Sequence, residues 1–348
     1  MSEVTQCILI ISPEAWSDLW VSKHHYANAL SRLGINVIYL NPPNENWKVV
    51  PVEENLKVVD YPKFPKGINY FPSIVQRYLF GKYFRRIEKI CAVKIDLIWS
   101  FDNSVFFDFG FAKSNVKIIH HVVDLNMDFQ FERACQTADI CFAATRYILK
   151  RERKSNRNSF FLHHGCIPVD YSLIKRRTGV VKVGYAGNLD IRYIDWDLIN
   201  TAVANYPNVE FYFAGKGNGR FVGQSLNVQL IGMLNQSKLE EFLCEMDVLL
   251  LAYQIESNRE QLANPHKMMQ YLSTGKPIVS TLSDEYEQLD CIYMAKSKSV
   301  WLDKLDFVIS NLAICSTQEL INQRRKYAFD HTYAKQLEKV FKVIDNVL

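Results

Sequence analysis

Short, largely apolar runs recur along this 348-residue chain, and they limit it more than any other feature. Cys7-Ile8-Leu9-Ile10-Ile11, Ile35-Asn36-Val37-Ile38-Tyr39-Leu40 and Ile278-Val279-Ser280-Thr281 are too short for buried helices and rich in β-branched residues. A strand that is apolar on both faces belongs in a parallel sheet with helices over each side. Between the first two runs, Val21 to Leu33 carries helical spacing through Val21, His25, Leu30 and Leu33, and Gly34 ends it. Strand, helix and strand in that order form a βαβ unit, so the first two strands are expected to pair in parallel.

The pattern continues. Leu56 to Val59, Ile95 to Ser100, Val116 to His121, Asp139 to Ala144 and Phe160 to Leu162 are further expected strands. Helices are expected over Ser73 to Cys91 and Phe131 to Thr137, and Lys150 to Asn158 as a solvated, charged surface turn. The first of those helices sets Arg77, Lys82, Arg85, Arg86 and Lys89 among large apolar residues. Such a mixture suits a membrane surface as well as a solvated helix face over a core. His121 and Asp124 fall just past an expected strand's carboxyl end, where open α/β sheets bind ligands.

Gly165 to Gly179 has the composition of a linker, and a second α/β series follows it. Strands are expected at Val181 to Ala186, Val209 to Ala214, Val228 to Ile231 and Asp247 to Ala252, with a helix over Ile194 to Ala204. Another helix runs from a Ser237 cap, with Glu240 in the capping-box position, to Met246. Gly187 stands directly after the first of these strands, where a missing side chain lets a ligand approach the backbone. Gly215 to Gly219 is a flexible turn without the spacing of a dinucleotide fingerprint. The stretch Asn264-Pro265-His266-Lys267, closed by Gly275-Lys276-Pro277, is a short helix marked at both ends: Asn264 as cap, Pro265 at the first helical position and Gly275 at the stop. Its open amides and Lys267 suit a phosphate, although an ordinary capped helix with a solvated lysine has the same residues. The amphipathic tail, Thr332 to Leu348, has the spacing of a helix that packs back on the first half.

A net charge of +4 is too small to argue for nucleic acid as a partner. Eight scattered cysteines without a CxxC pair point to buried thiols of a reducing compartment and to no metal site. With no signal-like leader and no membrane-length apolar run, the expected location is cytoplasmic, with contact at the inner membrane face.

Asn264-Pro265-x-Lys267-x-x-Gln270-Tyr271-Leu272-x-x-Gly275-Lys276-Pro277 resembles the donor motif of GT-B glycosyltransferases, in the broad group near family 4 that builds bacterial surface polysaccharides. Val183 to Leu189 resembles that family's first donor-domain strand and phosphate loop, and Asn227 to Gly232 the segment that seats the base. The resemblance implies an α/β fold of two Rossmann-like, doubly wound domains facing a cleft, with the C-terminal helix crossing back to the first. Residues 1–168 would bind the acceptor, 169–330 the nucleotide-sugar, and 331–348 would form the returning helix.

It implies transfer of a sugar from a nucleotide-diphosphate sugar to a saccharide acceptor, lipid-linked in such pathways, with no prosthetic group and no metal. Asn264, Pro265, Lys267 and Arg192 would hold the diphosphate, with Gly187 and Asn188 lining it; Gln270 would meet the ribose and the Met233 backbone the base. Asp124 is the candidate base, with His121 as second choice. The family's usual ribose-binding glutamate is Gln270 here, and its usual arginine is Asn188. A nucleotide-sugar epimerase on the same fold and a non-catalytic binding subunit are the alternative readings.

Overall fold

The apolar runs of the first half lie side by side. In order they are β1 (Cys7–Ile11), α1 (Ser22–Arg32), β2 (Asn36–Leu40), β3 (Lys48–Glu53), β4 (Leu56–Asp60), α2 (Ser73–Cys91), β5 (Leu97–Ser100), β6 (Lys117–Val122), α3 (Phe131–Thr137), β7 (Ile140–Ala143), α4 (Arg146–Glu152) and β8 (Ser159–Phe161). The sheet order is β3-β4-β2-β1-β5-β6-β7-β8. β1 pairs in parallel with β2 and β5, and β3 alone runs antiparallel, against β4. This computed structural model describes residues 6–18, 20–112, 114–125, 129–173, 179–221 and 225–347.

Period-two alternation divides each central strand between two layers. Cys7, Leu9 and Ile11 join Phe80, Phe84 and Ile87 of α2 in one core. On the opposite face the rings of Tyr26 and Trp99 lie 4.8 Å apart. The N-terminal half of α2 is held by an ionic contact. Asp108 is fully buried, and the guanidinium groups of both Arg77 and Arg133 converge on it. Arg77 is therefore committed to a carboxylate, and it leaves the outward basic row expected over Arg77 to Lys89.

The second half forms β9 (Val181–Ala186), α5 (Trp196–Asn205), β10 (Val209–Ala214), β11 (Val228–Gly232), α6 (Gln236–Glu245), β12 (Val248–Leu251), α7 (His266–Thr274), β13 (Ile278–Thr281), β14 (Tyr293–Ala295), α8 (Lys298–Ser310), α9 (Leu312–Cys315) and α10 (Gln318–Phe329). Its sheet order is β11-β10-β9-β12-β13-β14, parallel throughout. α11 (Tyr333–Val347) then returns to the first half, where Tyr333 packs its ring 4.8 Å from that of His25 on α1. The chain thus makes two compact units, residues 1–164 with 333–348 and residues 165–332, dividing at 164/165 and 332/333 rather than at 168/169 and 330/331. No helix of the described residues is long and apolar enough to cross a membrane, and all eight cysteines are buried with free thiols.

Several expected boundaries shift for local reasons. β3 carries no apolar alternation, because it is an exposed edge strand. The charged stretch from Lys150 is not all turn: α4 runs through Glu152, which faces inward and is fully buried. α6 starts from an Asn235 cap, whose side chain accepts from the Lys238 amide at 2.9 Å, and not from Ser237. α7 starts at His266 with Pro265 in the cap position, so Asn264 lies one residue ahead of the cap and is buried. The C-terminal end of α7 is as expected, with Gly275 left-handed at φ 75°.

That end of α7 is anchored by Arg324 of α10, which is fully buried. Its Nη1 donates to the carbonyls of Gly275 (3.1 Å) and Cys315 (3.0 Å), and its Nε to Cys291 (2.8 Å). Burial pulls its pKa below the ordinary arginine value. Arg324→Ala strands these carbonyls in a dry interior, so we expect a loss of about 3 kcal/mol in chemical denaturation. A loss under about 1 kcal/mol would mean that the carbonyls find other donors.

Candidate functional site

The donor-side residues are built around the carboxyl end of β9. Gly187 follows that strand at φ 151°, a backbone state that side-chain-bearing residues rarely adopt. Its N–H continues the ladder, donating to the Ala214 carbonyl at 2.8 Å. A Cβ on Gly215 would run into the Gly187 carbonyl, so both positions need glycine for the two strand ends to touch. Gly215 is not part of a loose turn: its N–H donates to the Gly232 carbonyl at 2.7 Å, and the Leu189 N–H donates to Lys216 at 2.7 Å. The loops after β9, β10 and β11 are thereby laced into one rim by backbone hydrogen bonds.

α7 closes the other side of this rim. Tyr271 accepts from the Ala186 N–H at 2.9 Å, tying the helix to the last residue of β9. Burial pushes the Tyr271 phenol far up, so it stays neutral. Four residues earlier, Lys267 reaches across the end of β9. Its Cε lies where a Cβ on Gly187 would be, and its Nζ is 3.4 Å from the Tyr253 hydroxyl and 5.4 Å from the centre of the Tyr185 ring. The ammonium is half-buried against neutral aromatic groups and has no carboxylate partner among the described residues. No acidic residue lies in the first turn of α7, and its cap residue, Pro265, makes no side-chain cap hydrogen bond. A desolvated cation beside the amides of a helix start attracts an anion more strongly than either would alone.

The remaining expected contacts sit on the same rim or helix. Asn188 is exposed and accepts from the Asp190 N–H at 2.9 Å, which shapes the loop. Arg192 is exposed and folded over Tyr193, with Nη2 donating to its hydroxyl at 2.7 Å. Met233 is exposed directly after Gly232. Gln270 is half-buried on α7, and its side chain has no partner among the described residues. The motif alone did not bring out Tyr185, Tyr253 and Gly215. Only the i, i+4 spacing of Lys267 and Tyr271 hinted that the lysine shares a helix face with a buried phenol.

The first unit separates the two catalytic candidates. His121 does not lie past a strand end: it is inside β6 and 2% exposed, 4.9 Å from the Phe101 ring and stacked on Trp99 at 6.0 Å. Burial, reinforced by His164, His120 and Lys23, holds its pKa well below 6.5, so the ring is neutral. Asp124 does lie beyond β6 and is half-buried. The structure adds a polar pair that the sequence did not reveal: Lys23 of α1, 3% exposed, sits 2.7 Å from Glu14, which follows β1.

The Gly187 contact gives a direct test of the rim. In Gly187→Ala the new methyl takes the space of the Lys267 side chain and forces a glycine-type backbone state on alanine. We expect an anion affinity reduced at least about tenfold, with a thermal denaturation midpoint a few degrees lower. Unchanged binding would show that Lys267 does not need its present position.

No protein-family model and no curated protein sequence matches this chain. Solved structures do. WaaG, a glycosyltransferase involved in lipopolysaccharide biosynthesis, superposes with TM-score 0.61 at 13% identity, over 96% of this chain and 98% of that one. Anabaena Alr3699/HepE in complex with UDP-glucose gives TM-score 0.69 at 11% identity, over 98% and 99%. The catalytic domain of starch synthase IV from Arabidopsis thaliana, bound to ADP and acarbose, gives 0.66 at 11% identity, over 99% of each chain. Matching sheets and near-complete mutual coverage identify the architecture: the chain has the GT-B fold of these glycosyltransferases.

Proposed function

We propose that this protein is a nucleotide-sugar-dependent glycosyltransferase whose second unit binds the donor and whose first unit binds a saccharide acceptor. The observation that carries the reading is Lys267, a half-buried ammonium with no carboxylate partner among the described residues, lying across Gly187 at the start of α7. Sugar transfer requires little covalent chemistry from the protein. It requires positive potential where the leaving diphosphate gathers charge, and a held acceptor hydroxyl. In this reading Lys267, the α7 amides after Asn264-Pro265 and Arg192 take the diphosphate, with Gly187 and Asn188 against it. Gln270 takes the ribose and the Met233 backbone takes the base.

On the acceptor side, Asp124 is the proposed base. His121 remains the second choice and ranks behind Asp124, because its ring is enclosed in β6 and neutral. Among the similar structures, HepE holds UDP-glucose, which makes a uridine donor the first to try. A binding subunit without transfer is the second reading, favoured by the uncharged Gln270 and Asn188 where the resembled family carries glutamate and arginine.

The donor assignment is tested by thermal shift across nucleotide-sugars. A cognate donor at a hundred times its dissociation constant stabilises by about 2.7 kcal/mol. Lys267→Ala is expected to weaken that donor at least about tenfold. Asp124→Asn is expected to keep the affinity and slow nucleotide release at least about tenfold. If Lys267→Ala leaves donor binding intact, the phosphate assignment fails; if no variant or wild-type protein releases nucleotide, the binding-subunit reading replaces transfer.

We further propose that the acceptor is lipid-linked and met at an anionic membrane face through α2. In support, Tyr70, Ile74 and Tyr78 are 92%, 78% and 65% exposed, and the exposed bases Lys82, Arg85, Arg86 and Lys89 follow along the helix. Sedimentation with phosphatidylglycerol vesicles is expected to carry the protein down, several-fold less so for Ile74→Ser/Tyr78→Ser. Equal partition onto phosphatidylcholine, or none onto either, would reject this contact.

A further inference from the structure

Edge strands are guarded by charge or proline. β3 has Pro51 and end charges at Lys48 and Glu53, yet it leaves Val50 and Val52 37% and 40% exposed. Both valines line a cavity of about 500 Å³ in the first unit, with Val58 of β4 and with Trp16 and Pro42 from the loops after β1 and β2. That volume is in the range of small-molecule sites. The Trp16 ring is held from behind, its centre 4.9 Å from that of Trp20 and 5.0 Å from that of Tyr39.

The polar wall of the cavity is fixed by one amide. Asn41 directly follows β2; its Oδ1 accepts from the Trp16 N–H at 2.8 Å and its Nδ2 donates to Asp60 Oδ1 at 2.7 Å. Asn41 thereby ties the Trp16 loop to the end of β4. Asp60 keeps its second carboxylate oxygen free of any hydrogen bond or ion pair among the described residues. No lysine, arginine or histidine lines the cavity among the described residues.

An uncompensated carboxylate repels phosphates and acidic sugars. A hydroxyl group both donates and accepts. Asp60 accepts from one such group. Asn44, also in the wall, has its Oδ1 engaged by the Glu45 N–H at 2.9 Å and its Nδ2 left to donate to another. An ammonium ion only donates, so it would leave Asn44 unanswered. The C–H face of a pyranose is apolar with weakly positive hydrogens, which suit the negative face of an indole and the valine surface beside it.

Position separates this cavity from the reacting end of the unit. Asp60 ends β4 and Asp124 follows β6, with β2, β1 and β5 between them. Four inter-strand steps of about 4.8 Å put the two strand ends roughly 19 Å apart, so one sugar ring cannot touch both. We propose that the cavity binds a neutral pyranose, a sugar of the acceptor that does not itself react, with its C–H face on Trp16 and the β3 valines and its hydroxyls on Asp60 and Asn44. That this sugar belongs to the acceptor rests on the transferase reading; that the cavity takes a neutral sugar does not.

The test is saturation-transfer NMR on the full chain, with methyl glucoside, methyl galactoside, methyl mannoside, methyl glucuronide and tetramethylammonium as separate probes. At least one neutral pyranoside is expected to bind, more tightly than the glucuronide and unchanged in Lys267→Ala. Asp60→Asn, which still accepts from Asn41, should weaken it at least about tenfold. Val52→Tyr fills the mouth from an exposed strand position and should abolish it. Thermal melts of both variants should match the wild type, so lost binding is not lost fold. The proposal is overturned if no neutral pyranoside binds, if tetramethylammonium or the glucuronide binds better, if either variant binds as the wild type does, or if Lys267→Ala removes binding. With a donor present, the bound pyranoside should leave nucleotide release unchanged. A release raised at least about tenfold, and lost again in Val52→Tyr, would put the reacting hydroxyl here and overturn the non-reacting role. If pyranosides fail while the donor still gives its thermal shift, this proposal fails alone; if a pyranoside binds and no donor does, the sugar site stands and the transferase reading fails.

Discussion

The need to cover both faces of a parallel sheet governs most of this molecule. β1 and β12 are buried along their whole length, so helices must lie on both sides of them and polar loops can emerge only at strand ends. Each unit meets that need in its own way. The first lays α2 and a cluster of aromatic rings over one face and uses α1 with the returning α11 over the other. The second surrounds β9 with α7 and, behind it, the fully buried Arg324. Because the faces are closed, the carboxyl ends of the strands are where backbone and charged side chains can meet a ligand.

At the end of β9 the chemistry comes from removing side chains as much as from adding them. Gly187 and Gly215 let two loops touch, and the space left over Gly187 is taken by Lys267. The ammonium rests against the Tyr185 ring, whose phenol burial holds well above its ordinary pKa, so this aromatic wall desolvates the charge without cancelling it. Asp108 shows the opposite use of charge: there, two arginines surround one buried carboxylate, and the contact fixes α2. Lys267 has no carboxylate partner among the described residues while Arg77 is paired with Asp108, and nothing in the two residues' immediate sequence separates these fates.

The basic segments of the first unit follow the same logic. Lys82, Arg85, Arg86 and Lys89 stand outward on α2 beyond an exposed apolar crest, whereas Arg146, Lys150 and Arg153 gather around a pocket on α4. In sequence both are charge runs. What distinguishes them is the neighbouring apolar surface: open to solvent in the first, and folded into a floor by β8 in the second.

The α/β class, the existence of two units, most strand positions and the stop of α7 at Gly275 were all legible in the sequence, because they rest on local rules: apolar period, caps and the backbone freedom of glycine. β3 was not legible, since an exposed edge strand leaves no hydrophobic signature, and neither was the Asn235 cap, which competed with a neighbouring serine that looked equally good. His121 was misplaced by a single step, enough to turn a residue at a strand mouth into a ring stacked on Trp99. That Lys267 lies on Gly187, that Arg77 pairs with the buried Asp108 and that Arg146, Lys150 and Arg153 line one cavity was decided only by tertiary structure. Those outcomes depend on which distant residues come within a few ångströms of a charge, and a linear pattern does not encode that distance.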